Sequence, residues 1–149
     1  LYQYYKNKES IVEDILLKKM ESSLNRIFTK LESSNELSEE AFIESLVTGQ
    51  FEQWNDRGQL SKNIIKWVPK VIDPSYLHGN DEKIIRFLKE KIIEYKFTSF
   101  DRENLDTKLL FCINTVRMSV FTYFSKEESY NYDDFVKETI LLLKRYLLK

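Results

Sequence analysis

Apolar residues recur at helical spacing along almost the whole chain, and the alternation typical of β-strands is nearly absent. Only 3 Gly and 2 Pro interrupt this pattern. It predicts a single all-α domain, a bundle of about six helices without a linker or an internal repeat. The first helix is expected from about Lys8 to Glu32, because an apolar stripe runs from Ile11 to Leu31.

Local signals place the next elements. Ser38 is a good cap for a second helix, which is expected to end by Gly58, and Ser61 opens a shorter third helix. Asp73 followed by Pro74 is typical of a cap and a first helical position. Residues 78–80, His-Gly-Asn, predict a turn, so that a further helix would start near Asp81.

The last two predicted helices, from about Leu105 to Lys126 and from Asn131 to the C-terminus, are apolar on more than one side. A helix at the surface of a monomer needs only one apolar face, so the surplus predicts contact on two sides. We therefore expect a homodimer held by a four-helix bundle, with each protomer contributing this helix pair. The residues expected at the interface are Val116, Val120, Tyr123, Ile140, Leu143 and Leu147.

Composition argues against several classes of protein. The 149 residues carry a net charge of -1, whereas a dedicated nucleic-acid surface would be basic. No apolar run reaches membrane-spanning length and the N-terminus has no signal-peptide pattern, so we expect a cytoplasmic protein with no membrane contact. With one His, one Cys and no Gly-rich loop, the sequence offers no metal site, cofactor site or catalytic group, and we expect no enzyme.

Aromatic residues spread over the central helices predict an apolar ligand pocket. Asn114 and Arg117 interrupt an apolar helix, and a buried arginine needs an anionic partner or ligand. An alternative is a plain core in which Arg117 pairs with a carboxylate or reaches water at the dimer seam. The expected pocket residues are Trp54, Trp67, Phe111, Asn114, Arg117 and Phe121.

The first eleven residues carry the most specific pattern in the chain. They resemble the junction between the DNA-recognition helix and the sensor domain in the tetracycline-repressor (TetR) family of regulators, roughly Leu-Tyr-x-His/Tyr-Phe-x-Ser/Asn-Lys-Glu-x-Leu. Tyr5 stands for the usual Phe, and Ile11 for the usual Leu. The matching residues are Leu1, Tyr2, Tyr4, Asn7, Lys8 and Glu9.

This resemblance implies that residues 1–7 are a remnant of the recognition helix and its exit, and that residues 8–149 form an effector-binding and dimerisation domain. It implies that Tyr2 and Lys8 contact DNA phosphates in the intact protein. It also implies a transcriptional repressor that releases operator DNA when a small hydrophobic or weakly anionic effector binds. The alternative is a helical protein–protein interaction module with neither a ligand pocket nor a DNA role; an enzyme is a more distant third.

Overall fold

The computed structural model describes residues 8–33, 38–55, 74–126 and 129–149. Within these ranges the chain forms five helices: α1 Lys8–Ser33, α2 Glu39–Asn55, α3 Pro74–Glu94, α4 Leu105–Ser125 and α5 Tyr132–Leu147. The only β-type pairing there is a single bridge between Phe100 and Leu148. The all-α prediction is confirmed for these residues. None of the helices in them has the length and apolarity needed to cross a bilayer.

The predicted helix starts are confirmed where they depend on local capping. The amide of Ala41 donates to Ser38 Oγ at 3.0 Å, at the start of α2. The amide of Asp134 donates to the Asn131 side chain at 3.0 Å, at the start of α5. Each cap satisfies one of the amides that the first helical turn leaves without a helical partner.

The turn predicted at residues 78–80 is wrong, because α3 continues through them from Pro74 to Glu94. An isolated glycine within a helix costs about 1 kcal/mol relative to alanine, which packing elsewhere along the helix can offset. Leu88 and Ile92 of α3 are buried and supply such packing. The helix predicted from Ser61 and the predicted end of α2 near Gly58 lie outside the described residues.

The central helix of the bundle is α2, which packs against α1, α4 and α5. Its buried side chains are Phe42, Ile43, Val47, Phe51, Gln53 and Trp54. The approach to α1 is close, since a Cβ at Gly49 would clash with the side chain of Ile27. A larger residue at this position would therefore displace the Ile27 side chain or the helix that carries it.

The loop between α3 and α4 is fastened to the end of α5. The amide of Asp101 donates to the Leu147 carbonyl, and the amide of Lys149 donates to the Ser99 carbonyl, both at 2.8 Å. The ammonium group of Lys108 bonds the Asp101 carboxylate. The loop and the last helix therefore form one end of the bundle together.

Glu39, at the start of α2, holds the same loop. Its carboxylate accepts hydrogen bonds from the amides of Thr98 at 2.8 Å and Ser99 at 3.0 Å. Burial alone would raise the pKa of Glu39, but the hydrogen bonds from Ser99 and Thr98 outweigh it and lower the pKa below its ordinary value. The hydrogen bond from Lys108, followed by that from the Glu103 amide, likewise lowers the pKa of Asp101.

The lowered pKa values of Glu39 and Asp101 predict that the folded domain loses stability in acid. Because their pKa values are lower in the folded than in the unfolded chain, they stabilise the fold above the ordinary carboxyl pKa. That stabilisation is lost as the pH falls from about 4 through the folded pKa values. Urea denaturation between neutral and acidic pH should show the loss, and Glu39→Gln should make it shallower. The control Glu40→Gln removes a charge from the same helix end but keeps the hydrogen bonds, so matching profiles for both variants would contradict this assignment.

Candidate ligand cavity

A cavity of about 110 Å³ lies between the helices. A cavity of roughly 150 Å³ lined by aliphatic and aromatic side chains can stay dry and bind benzene, whereas pockets for drug-sized ligands measure about 300–1,000 Å³. The space is therefore suited to a molecule no larger than one aromatic ring. Its wall is made by Leu24, Phe42, Ile43, Leu46, Gln50, Trp54, Ile84, Leu88, Phe100, Leu109, Cys112, Ile113, Val116, Arg117, Val120, Phe121, Leu143 and Leu147.

Three of the residues predicted for a pocket line this cavity: Trp54, Arg117 and Phe121. The indole of Trp54 packs edge-on against the Phe121 ring, with the ring centroids 6.1 Å apart. Phe111 and Asn114 do not line the cavity. They border a shallow depression on the outside of α4, where Phe111 is 62% exposed. Trp67 lies outside the described residues.

Arg117 forms a buried ion pair. Its Nη2 lies 2.6 Å from Oδ1 of Asp81, and the two side chains are only 9% and 6% exposed. Its Nη1 donates to Oδ1 of Asn114 at 3.0 Å. The guanidinium is therefore paired with a carboxylate, one of the two alternatives left open by the sequence, and it also forms part of the cavity wall.

Asp81, the partner of Arg117, is not among the site residues predicted from the sequence. The turn predicted at residues 78–80 puts Asp81 in the first turn of a helix, where a carboxylate is ordinary. In the continuous helix α3 it precedes Ile85, Leu88 and Ile92 at intervals of four, three and four residues. Asp81 thus lies on the apolar face of α3, and Arg117 lies within the apolar helix α4. One acidic and one basic residue on two apolar helix faces is the signal that could have identified the ion pair.

Gln50 connects the cavity wall to α1. Its Nε2 donates to Oγ of Ser23 at 3.0 Å, and Ser23 is only 2% exposed. Leu24, the next residue of α1, lines the cavity itself. A molecule in the cavity would therefore touch α1 directly through Leu24 and indirectly through Gln50.

Cys112 contributes its thiol to the wall. Burial raises the pKa of this thiol to about 12. The group is therefore protonated at neutral pH, and it serves as a small apolar surface because the thiolate is the reactive form.

Most of the residues predicted for a dimer interface are buried in the hydrophobic core of the chain itself. Within it, Val116, Val120, Tyr123, Leu143 and Leu147 are buried and belong to the hydrophobic core, and Ile140 is partly buried against that core. The large apolar side chains that α4 and α5 do expose are Phe111, Met118, Leu141, Leu142 and Tyr146. A contact between copies through these helices would use this exposed set.

Of the two positions predicted to contact DNA, only Lys8 belongs to the described residues. Tyr2 lies outside the described residues, and Lys8 is the first residue of α1. In the described parts of the chain, no three His, Cys, Asp or Glu side chains are grouped closely enough to hold a metal ion.

Comparison of the sequence with protein-family models and with curated proteins finds no match to either.

Proposed function

We propose that the chain is the effector-binding and dimerisation domain of a TetR-like transcriptional repressor. The observation that carries this proposal is the apolar cavity, whose wall includes α1. The helix α1 begins at Lys8, within the eleven residues that resemble the family's junction with the recognition helix. A ligand that shifts α1 would thus act on the helix to which the DNA reader is joined.

The proposed coupling needs an effector that prefers one position of α1 and DNA that prefers another. Leu24 and the hydrogen bond from Gln50 to Ser23 give the cavity contact with α1. In a homodimer, tilting both copies of α1 would change the spacing of the two recognition helices and release operator DNA. Tyr2 and Lys8 would hold phosphates in the bound state.

The dimer in this proposal forms through the exposed apolar side chains of α4 and α5. Phe111 and Met118 lie on one side of α4 at a spacing of seven residues, which is two helical turns. Leu142 and Tyr146 of α5 are also exposed. Exposed apolar side chains on two neighbouring helices are typical of a surface covered in the assembled protein.

Ligand binding is expected to raise the melting temperature. Toluene is the probe, and a ligand that binds only the folded state stabilises it by about 2.7 kcal/mol at a concentration a hundred times its Kd. Val116→Phe, in the cavity wall, should fill the space and remove the shift. Met118→Phe makes a comparable enlargement on the exposed side of α4 and should keep it. Calorimetry measures the shift, and an equal shift in both variants would show that toluene binds elsewhere.

Regulation itself is tested with the intact protein. The coding sequence upstream of Leu1 should encode a helix-turn-helix, and the intact protein should shift the DNA adjoining its gene in a gel. A compound that raises the melting temperature should release that DNA. A compound that binds the cavity without changing DNA affinity would contradict the repressor proposal.

The second candidate is a helical protein–protein interaction module, favoured by the exposure of Phe111 and Met118, at 62% and 59%. This function requires neither a helix-turn-helix nor a ligand. An upstream sequence without a helix-turn-helix, together with a melting temperature unaffected by toluene, would favour the module over the regulator.

A further inference from the structure

Among the described residues of the cavity wall, the one charged side chain, Arg117, is neutralised by the carboxylate of Asp81. Arg117 lines the cavity, and its guanidinium is paired with Asp81 at 2.6 Å. We propose that this ion pair sets the ligand class, so that the cavity accepts a neutral, apolar molecule of about one aromatic ring and excludes carboxylates. The inference rests on the proposed function of the cavity as a ligand site, and it replaces the expectation of a weakly anionic effector.

Carboxylate ligands are excluded because they would have to displace Asp81 from Arg117 or bind beside it. Each amino group of the guanidinium makes one hydrogen bond, Nη2 to Asp81 and Nη1 to Asn114. A ligand that took the place of Asp81 would leave that carboxylate buried without its partner, and an uncompensated buried charge is strongly unfavourable. A ligand that left the pair intact would bring a second negative charge close to Asp81.

The rest of the wall offers little to a charged ligand. Around Arg117 the cavity is formed by aliphatic and aromatic side chains, including Ile113, Val120 and Phe121. The thiol of Cys112 is protonated, since burial raises its pKa to about 12. In the part of the wall that the structure describes, the side-chain hydrogen-bond donors are limited to Gln50, Trp54, Arg117 and the weak donor Cys112. An anion would therefore recover only part of its hydration, whereas a neutral ring loses little.

If the ion pair between Arg117 and Asp81 sets the ligand class, removing the charge of Asp81 alone should let the cavity bind a carboxylate ligand. Asp81→Asn keeps the shape of the side chain and removes its charge, which leaves Arg117 as an unneutralised cation in the wall. At pH 7 and constant ionic strength, we expect toluene but not benzoate to raise the melting temperature of the unaltered protein. In Asp81→Asn, benzoate should bind about tenfold more tightly or better, through charge-assisted hydrogen bonds to Arg117, while toluene binds as before.

Two further variants make the test specific. Asp101→Asn removes a carboxylate that is paired with Lys108 and does not line the cavity, so it should gain no affinity for benzoate. The double variant Asp81→Leu with Arg117→Leu removes both charges, and it should bind toluene without binding benzoate. If Asp81→Asn does not fold alone, benzoate should restore cooperative unfolding, and toluene at the same concentration should not.

The outcomes separate this inference from the proposed function. Benzoate binding to the unaltered protein, or no gain in Asp81→Asn, overturns the inference even where toluene binds. Binding of neither compound to any variant overturns the cavity as a ligand site, and the proposed function with it.

Discussion

Aspartate in place of Val120 is expected to unfold the domain, whereas aspartate in place of Met118 should leave it folded and weaken self-association. Val120 is 2% exposed and lines the cavity, while Met118, two residues earlier, is 59% exposed. A buried, uncompensated charge costs more than about 4 kcal/mol, a large part of the 5–15 kcal/mol that stabilises a typical domain. At Met118 the added charge stays in water in the monomer but would be desolvated in the proposed dimer.

Circular dichroism in urea and size-exclusion chromatography with light scattering measure the two effects. The Val120 variant should lose its cooperative unfolding transition, and the Met118 variant should keep it. A folded Val120 variant would show that the side chain is not in the core. A Met118 variant that dimerises as strongly as the unaltered protein would place the dimer contact on another surface.

Arg117→Leu is expected to lower the free energy of unfolding by about 3–5 kcal/mol, because it leaves the Asp81 carboxylate buried without a partner. The double change Asp81→Leu with Arg117→Leu should be close to neutral, since neither charge remains to be desolvated. The difference between the double variant and the sum of the single variants measures the coupling between the side chains.

The matched control is an ion pair at the surface. Nζ of Lys89 lies 2.6 Å from Oδ1 of Asp106, and the two side chains are 41% and 67% exposed. Lys89→Leu should change the free energy of unfolding by less than about 1 kcal/mol. The four variants Arg117→Leu, Asp81→Leu, the double variant and Lys89→Leu are compared by urea denaturation. A loss of unfolding free energy no greater for Arg117→Leu than for Lys89→Leu would mean that water reaches Asp81.

The Ser38 cap of α2 was readable from the sequence because a cap depends on neighbouring residues alone. Asn131, predicted as the first residue of the final helix, caps α5 from the position before its first residue. The sequence did not reveal which face of α4 is buried in the chain's own core. Helical periodicity groups Val116 and Val120 together, and Met118 elsewhere, but it does not say which group faces the chain's own core and which faces another molecule.

The ion pair at the cavity shows a second limit. Arg117 was identified as unusual because an apolar helix surrounds it, but its partner depended on the course of α3. Local turn preferences favoured a break at residues 78–80, and tertiary packing of α3 outweighs them. A helix start near Asp81 predicts an ordinary first-turn acid at that position, so the sequence does not single out Asp81 as the partner of Arg117.

The central position of α2 has a consequence for synthesis on the ribosome. The ring of Phe51 packs against Tyr132 and Phe135, with ring centroids 6.0 and 6.4 Å apart, and these partners are translated long after α2. Until α5 leaves the exit tunnel, one apolar side of α2 has nothing from its own chain to cover it. Nascent chains that stall before α5 should therefore bind chaperones or aggregate. For the same reason, slow translation of α5 would lengthen the period in which this side of α2 is uncovered.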